Sequence, residues 1–184
     1  MTKSFIRVED NFFENNKFEE IKEYVDTLNY NPPQTSSIED NKGCYWFEKQ
    51  LERGHDLQNL IINILKDRVN LNIDKDYKSK DPDTLECVTK FIMSNAQDGA
   101  RPHTDNCQIQ CLIFLKGEEI LNNGTMFVDK NTKSKEVSFD IHTHIGFKEN
   151  RAIVFSSDNW HTPAQFLGGT WRYSIANFFN LKST

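Results

Sequence analysis

Apolar positions in the first third of the chain recur three and four residues apart, the period that lays one face of a helix against a core. Phe18, Ile21, Val25 and Leu28 predict an amphipathic helix over about residues 17–29, and Asn16 followed three residues on by Glu19 matches a capping box at its start. Leu57, Leu60, Ile61, Ile64, Leu65 and Val69 form a second, broader stripe, with Asp56 placed to cap it. Between them, Asn29 to Gly43 carries Pro32-Pro33 and a polar run and reads as a loop.

Beyond Pro82 the period changes. Short runs rich in Val, Ile, Phe, Thr and Trp at 85–94, 107–115, 124–128, 136–146, 151–156 and 170–179 are separated by Gly, Asn, Asp and Lys, the rhythm of an antiparallel sandwich or barrel. Helices first and strands afterwards predict an α+β arrangement, with residues 1–84 as helical support and loop bracing a jelly-roll core over 85–180. A chain of 184 residues with no internal repeat is expected to form one domain.

Charge and cysteine content narrow the setting. A net charge of -5, with Lys and Arg scattered among acids, offers no basic patch and argues against a nucleic-acid or anionic-membrane partner. The opening Met1-Thr2-Lys3-Ser4-Phe5-Ile6-Arg7 lacks the apolar region of a secretion signal, and no run of about 18 apolar residues occurs, so a soluble, cytoplasmic protein is expected. Cys44, Cys87, Cys107 and Cys111 form no CxxC pair, which suits a reducing compartment without disulfides.

Candidate chemistry begins at His103-Thr104-Asp105, after the turn-like Asp98-Gly99-Ala100-Arg101-Pro102 and before an apolar strand. In extended backbone, residues two apart project to one side, so an imidazole and a carboxylate can converge on one metal ion. At the far end of the β region, Asn159-Trp160-His161-Thr162-Pro163 follows the apolar Ala152-Ile153-Val154-Phe155, and Arg172 comes eleven residues after His161. From His161 to Thr184 there is no Asp or Glu, so a guanidinium in this apolar strand has no acid nearby in sequence. Ser174 points the same way two residues on, and a dicarboxylate would satisfy both groups.

The order HxD, His 56 residues after the Asp, Arg at +11 and Ser at +13 resembles the iron(II)- and 2-oxoglutarate-dependent oxygenase superfamily, its prolyl-hydroxylase-like branch in particular. Leu112-Ile113-Phe114-Leu115-Lys116, Asn123-Gly124-Thr125-Met126-Phe127 and Asn150-Arg151-Ala152-Ile153-Val154-Phe155 add to the resemblance, which spans roughly residues 85–180. Asn150-Arg151 departs from it, standing where many relatives carry a glycine-rich turn. The resemblance implies a double-stranded β-helix, with His103, Asp105 and His161 as a facial iron triad and 2-oxoglutarate and dioxygen as co-substrates. It further implies Arg172 and Ser174 at the far carboxylate of 2-oxoglutarate, and Ser94, Asn95, Leu112 and Phe114 near that co-substrate. Because Asp105 is present no ligand position is freed for a halide, so hydroxylation of a peptide or protein side chain, or of a small molecule, is the implied reaction.

Other readings compete. His142-Thr143-His144 also puts two imidazoles on one side of a strand and, with His103 or Asp105, would build a cupin-like metal site. Cys107 and Cys111 with His103 would make a structural zinc site, although cysteines in an apolar strand more often pack as small hydrophobes. A jelly-roll binding module without catalysis is the third alternative. Trp160 would wall the site or cover the core. Asn29 to Gly43, the aromatic run Tyr45-Trp46-Phe47 and the polar segment Asp129 to Glu136 are the places for a lid or substrate surface.

Overall fold

The computed structural model describes residues 4–31, 44–81, 84–96, 101–120, 123–132, 137–164 and 171–182. Most of the loop expected over 29–43, the turn at 98–100 and the end of the polar segment before 137 therefore lie outside the described residues. In chain order the elements are β1 (Ile6–Glu9), α1 (Asn15–Asp26), β2 (Cys44–Gln50), α2 (Asp56–Val69), β3 (Val88–Ala96), β4 (Ile109–Lys116), β5 (Thr125–Asn131), β6 (Ser138–Ile145), β7 (Ala152–Ser156), β8 (His161–Pro163) and β9 (Arg172–Phe179). Six strands form a major sheet in the order β1-β7-β4-β9-β3-β2 and three a minor sheet in the order β6-β5-β8, with every pairing antiparallel.

The alternation of side chains along the major sheet divides the core in two. Phe91, Ile109, Cys111, Ile113, Ile175 and Phe179 face the helices and pack with Phe18, Ile21, Val25, Leu57, Ile61 and Leu65. Leu112, Phe114, Ile153, Phe155 and Ala176 face the other way, against Phe127 and Ile145 of the minor sheet. Strands β4 and β7 are therefore covered on both faces, and this is why Ile109–Leu115 and Ala152–Phe155 read as continuous apolar runs. The arrangement is the helix-braced double-stranded β-helix expected from the sequence.

Both helix starts differ from the expectation. Helix α1 begins after Glu14, in extended conformation and without a side-chain cap, so the capping box at Asn16 and Glu19 does not form. Helix α2 is capped by His55, whose Nδ1 accepts from the Leu57 amide at 3.2 Å, while Asp56 sits in the first turn and favours the positive end of the helix dipole. A buried chain of hydrogen bonds then ties α2 to the sheet: Gln58 donates to Thr89, Thr89 to the Asn177 side-chain carbonyl, and Asn177 to the Cys111 carbonyl.

The N-terminal segment also supplies two strands that its hydrophobic pattern did not suggest, β1 beside β7 and β2 beside β3. The aromatic run at 45–47 lies in β2 and is not part of a loop. Asn150 accounts for the missing glycine-rich turn. It adopts the left-handed conformation (φ 58°) and clamps Phe13 from both sides, accepting from its amide at 2.8 Å and donating to its carbonyl at 2.9 Å.

Next to that turn, Asp10 bridges Arg151 (2.6 Å) and Lys148 (2.9 Å), and the Arg151 guanidinium, helped by Lys148, holds its carboxyl at about 2, down from 3.8. A carboxyl depressed in the folded state adds stability above its unfolded pKa and loses it as pH falls through the folded value. Discounted for a side chain 36% exposed, the contribution is about 1 kcal/mol. Urea melts of Asp10→Asn should show that deficit above pH 3.8, shrinking as pH falls through about 2 and gone below it. A deficit that persists unchanged at the acid end would exclude the ion pair as its source.

Candidate metal centre and anion clamp

The candidate metal-ligating side chains are brought together by backbone pairing. His103 and His161 form an isolated antiparallel bridge, exchanging hydrogen bonds of 3.0 and 2.9 Å, and the Asp105 amide donates to the Ser157 carbonyl at 3.2 Å. The loop that carries HxD is thus held along the segment linking β7 to β8. The imidazoles of His103 and His161 lie 4.6 Å apart between ring centroids, and His161 Nε2 stands 3.2 Å from Asp105 Oδ2. One ligand atom from each of the three residues falls within 4.8 Å of the others. Adjacent donors about 2.1 Å from an octahedral ion lie about 3 Å apart, so small rotations of these side chains suffice to enclose one.

The protonation pattern suits ligation. His161 Nδ1 meets the Asn159 carbonyl at 2.9 Å and His103 Nδ1 meets the Arg101 carbonyl at 3.2 Å. Each contact places the ring proton on Nδ1 and leaves the Nε2 lone pair for a metal. Desolvation, with the neighbouring His161, also pushes the His103 pKa down, a direction that favours the neutral imidazole. Asp105 Oδ2 is buried and has no hydrogen-bond partner among the described residues.

Arg172 opens β9 and is buried, 4% exposed. Its Nη1 donates to the Gly124 carbonyl at 2.6 Å, and its guanidinium lies over the Phe114 ring, 5.2 Å from the centroid. Alternation along β9 sends Ser174 to the same side as Arg172, and register places Ser94 of β3 directly opposite the arginine. Ser94, Ser174 and Thr125 are buried, and their hydroxyls have no partner among the described residues. Unsatisfied buried hydroxyls are uncommon, and three around one guanidinium make a cradle for an anion with several acceptor oxygens.

The triad and this cradle line one cavity of about 260 Å³ between the two sheets. Of the residues singled out in the sequence, His103, Asp105, His161, Arg172, Ser174, Ser94 and Leu112 all line it. Phe114 lies behind the arginine. Asn95 is buried and, one residue on from Ser94, belongs to the opposite face of β3, so the structure does not bring it to the cavity. Trp46, from the aromatic run named as a lid or substrate surface, lines the cavity too, and Thr125, Gln110, Glu48 and Lys90 line it without having been singled out. The period of two would have found Gln110 from Leu112 once β4 was recognised.

The competing readings find other places. His142 and His144 lie on β6 at the edge of the minor sheet, and His103, Asp105 and His161 are the one group of three metal-ligating residue types close enough to share an ion among the described residues. Phe127 packs against both His142 and His161, with centroids 6.4 and 6.2 Å away, and stands in the way of a cupin-like set. Cys111 is in the helix-side core and Cys107 contacts Ser157 at 2.9 Å, so both pack instead of ligating, and Cys87, Cys107 and Cys111 are free thiols. Trp160 packs on Phe139 and under Lys130, away from the cavity lining.

Neither protein-family models nor curated protein sequences match the chain. Solved structures do match its fold. HygX from Streptomyces hygroscopicus with nickel and 2-oxoglutarate bound superposes with a TM-score of 0.61 at 8% identity, over 96% of this chain and 82% of that one. A Trichoplax adhaerens prolyl hydroxylase in complex with a hypoxia-inducible-factor peptide fragment gives 0.57 at 17% identity, over 95% and 82%. The non-haem α-ketoglutarate-dependent epimerase SnoN from nogalamycin biosynthesis gives 0.63 at 7%, over 96% and 77%. At such identities the likeness establishes the architecture, a double-stranded β-helix used by 2-oxoglutarate-dependent enzymes of differing reaction.

Gly124 is where the minor sheet approaches the clamp most closely. A Cβ there would lie 2.0 Å from the Ile145 carbonyl oxygen and 2.8 Å from the Gly146 Cα, both backbone atoms that cannot turn aside. Gly124→Ala is expected to cost at least about 3 kcal/mol in urea denaturation. A loss below about 0.5 kcal/mol would show that the β5–β6 backbone yields freely.

Proposed function

We propose that the chain is an iron(II)- and 2-oxoglutarate-dependent oxygenase in which His103, Asp105 and His161 hold the metal and Arg172 and Ser174 hold the far carboxylate of 2-oxoglutarate. The observation that carries this reading is the meeting of two imidazoles and one carboxylate at a cavity that also contains a buried guanidinium ringed by hydroxyls without partners among the described residues. Two nitrogens and one oxygen on one side of an ion suit iron(II) and leave further positions for a chelating 2-oxo acid. The fold shared with HygX, the Trichoplax hydroxylase and SnoN supports the same reading.

Bound iron(II) and 2-oxoglutarate would supply the activation of dioxygen that oxidises an otherwise inert C–H bond, the 2-oxoglutarate leaving as succinate and carbon dioxide. The protein's own part is orientation and exclusion of water. The Asn159 and Arg101 carbonyls fix the two imidazole rings, Arg172 and the hydroxyls of Ser94, Ser174 and Thr125 set the register of the dicarboxylate, and Leu112, Ala176 and Phe178 keep the cavity wall apolar. Hydroxylation of a peptide or protein side chain or of a small molecule is the reaction we assign, supported by the retained carboxylate ligand. The epimerase among the fold's relatives is a reminder that this architecture also serves other outcomes.

Anaerobic addition of iron(II) and 2-oxoglutarate should produce the weak visible charge-transfer band of a chelated 2-oxo acid. A colourless mixture would remove the oxygenase reading. His161→Ala and Asp105→Ala should each abolish iron-dependent formation of succinate, because two ligands do not hold the ion in facial geometry. Arg172→Ala should weaken 2-oxoglutarate binding by roughly tenfold to hundredfold, the scale of one charge-assisted contact, and leave metal affinity nearly unchanged. Equal 2-oxoglutarate affinity in the variant and the parent would refute the clamp.

A further inference from the structure

The cavity contains a charged pair that neither the metal nor a dicarboxylate requires. Trp46 and Glu48 of β2 and Lys90 of β3 line it on the side of β9 away from β4, and Lys90 Nζ donates to both Glu48 carboxylate oxygens at 3.1 and 3.0 Å. Both side chains are mostly buried, 21% and 24% exposed. A partly desolvated ion pair acts on its surroundings chiefly as a dipole, with no net charge to offer a purely cationic or purely anionic ligand. Either such ligand would meet a like charge within a few ångströms of its intended partner. A zwitterion, laid antiparallel to the pair, places its ammonium beside Glu48 and its carboxylate beside Lys90 and satisfies both.

Size points the same way. A volume of about 260 Å³ is below the range of about 300–1,000 Å³ usual for drug-sized ligands, and it must also take in the co-substrate. What remains suits a molecule of amino-acid size or a single side chain of a peptide. The ion pair separates those two, since a residue inside a peptide presents neutral amides to it while a free amino acid presents two charges held as close together as those of the pair.

We infer that the Trp46, Glu48 and Lys90 wall is the recognition site for the primary substrate and that this substrate is a free α-amino acid or a small amine carboxylate of the same charge pattern. The inference rests on the oxygenase reading. Glu48 recognises the ammonium, Lys90 the carboxylate, and the Trp46 face covers the substrate from solvent.

The test loads the full chain with iron(II) and 2-oxoglutarate, records the visible band, and then measures succinate formation in air with free L-amino acids and with their N-acetyl methylamide derivatives. At least one free amino acid should accelerate succinate formation tenfold or more, with its capped derivative inactive. Because Glu48 and Lys90 also join β2 to β3, the informative variant exchanges them, Glu48→Lys with Lys90→Glu, which keeps the cross-strand pair and reverses its dipole. That double variant should show the parent's band and melting temperature and lose roughly tenfold to hundredfold in kcat/KM for the free amino acid. A normal band with no response to any free amino acid, or an equal response to capped derivatives, overturns the inference and leaves the oxygenase reading in place. Full activity of the exchanged variant overturns it as well. Absence of the band in the parent overturns the oxygenase reading, and the inference with it.

Discussion

Two backbone hydrogen bonds between His103 and His161 determine whether this molecule has a site at all. Side chains alone would not bring the triad together, because its members lie 58 residues apart in the chain at their extremes and the HxD segment belongs to no long strand. Reciprocal pairing of the two residues fixes their Cα atoms at the spacing of a sheet and points both rings to one side. The Asp105 amide, held by Ser157, then delivers the carboxylate to the same place. Each of these contacts is made to the stretch 157–161 leaving β7, so the position of the three side chains follows from the strand pairing around them.

The clamp depends on the same closure of two sheets, by a different route. Arg172 starts on the major sheet, yet the carbonyl that receives its Nη1 belongs to Gly124, at the entrance to the minor sheet. A buried guanidinium needs such acceptors, and only a residue without a side chain lets β5 come close enough to the Ile145 backbone while offering one. The candidate metal ligands and the proposed clamp are therefore two readouts of one packing event, the seating of β5 and β8 over β4 and β9.

Much of this was legible in the sequence, for identifiable reasons. The spacing of His103, Asp105, His161 and Arg172 identified the residues that converge, and the apolar runs of β4 and β7 showed because those strands are covered on both faces. Strand β1 was missed because four residues alternating Ile-Arg-Val-Glu at a sheet edge carry too short a pattern. Strand β2 was missed because the run Tyr45-Trp46-Phe47 follows a polar loop and reads, in sequence, as a lid or substrate surface, although Trp46 reaches the cavity from within a strand. His55 replaced the expected cap because it holds the extended conformation just before the helix and its Nδ1 accepts from the Leu57 amide, so the choice between neighbours is made by backbone geometry. Asn95 was assigned to the site with Ser94, but adjacent strand residues face opposite ways, and only one of them can reach the cavity. Glu48 and Lys90 carry no motif; their pairing arises from register between two strands some forty residues apart.

Strand β9 joins these requirements in eight residues. Arg172, Ser174, Ala176 and Phe178 look into the cavity, while Ile175, Asn177 and Phe179 serve the helix-side core and its buried hydrogen-bond chain. A one-residue insertion or deletion near its start would rotate the two sets past each other, driving a guanidinium into hydrocarbon and an isoleucine into the anion cradle. Descendants of this chain are thus free to vary the identity of residues along β9 within limits, but its length is inherited whole.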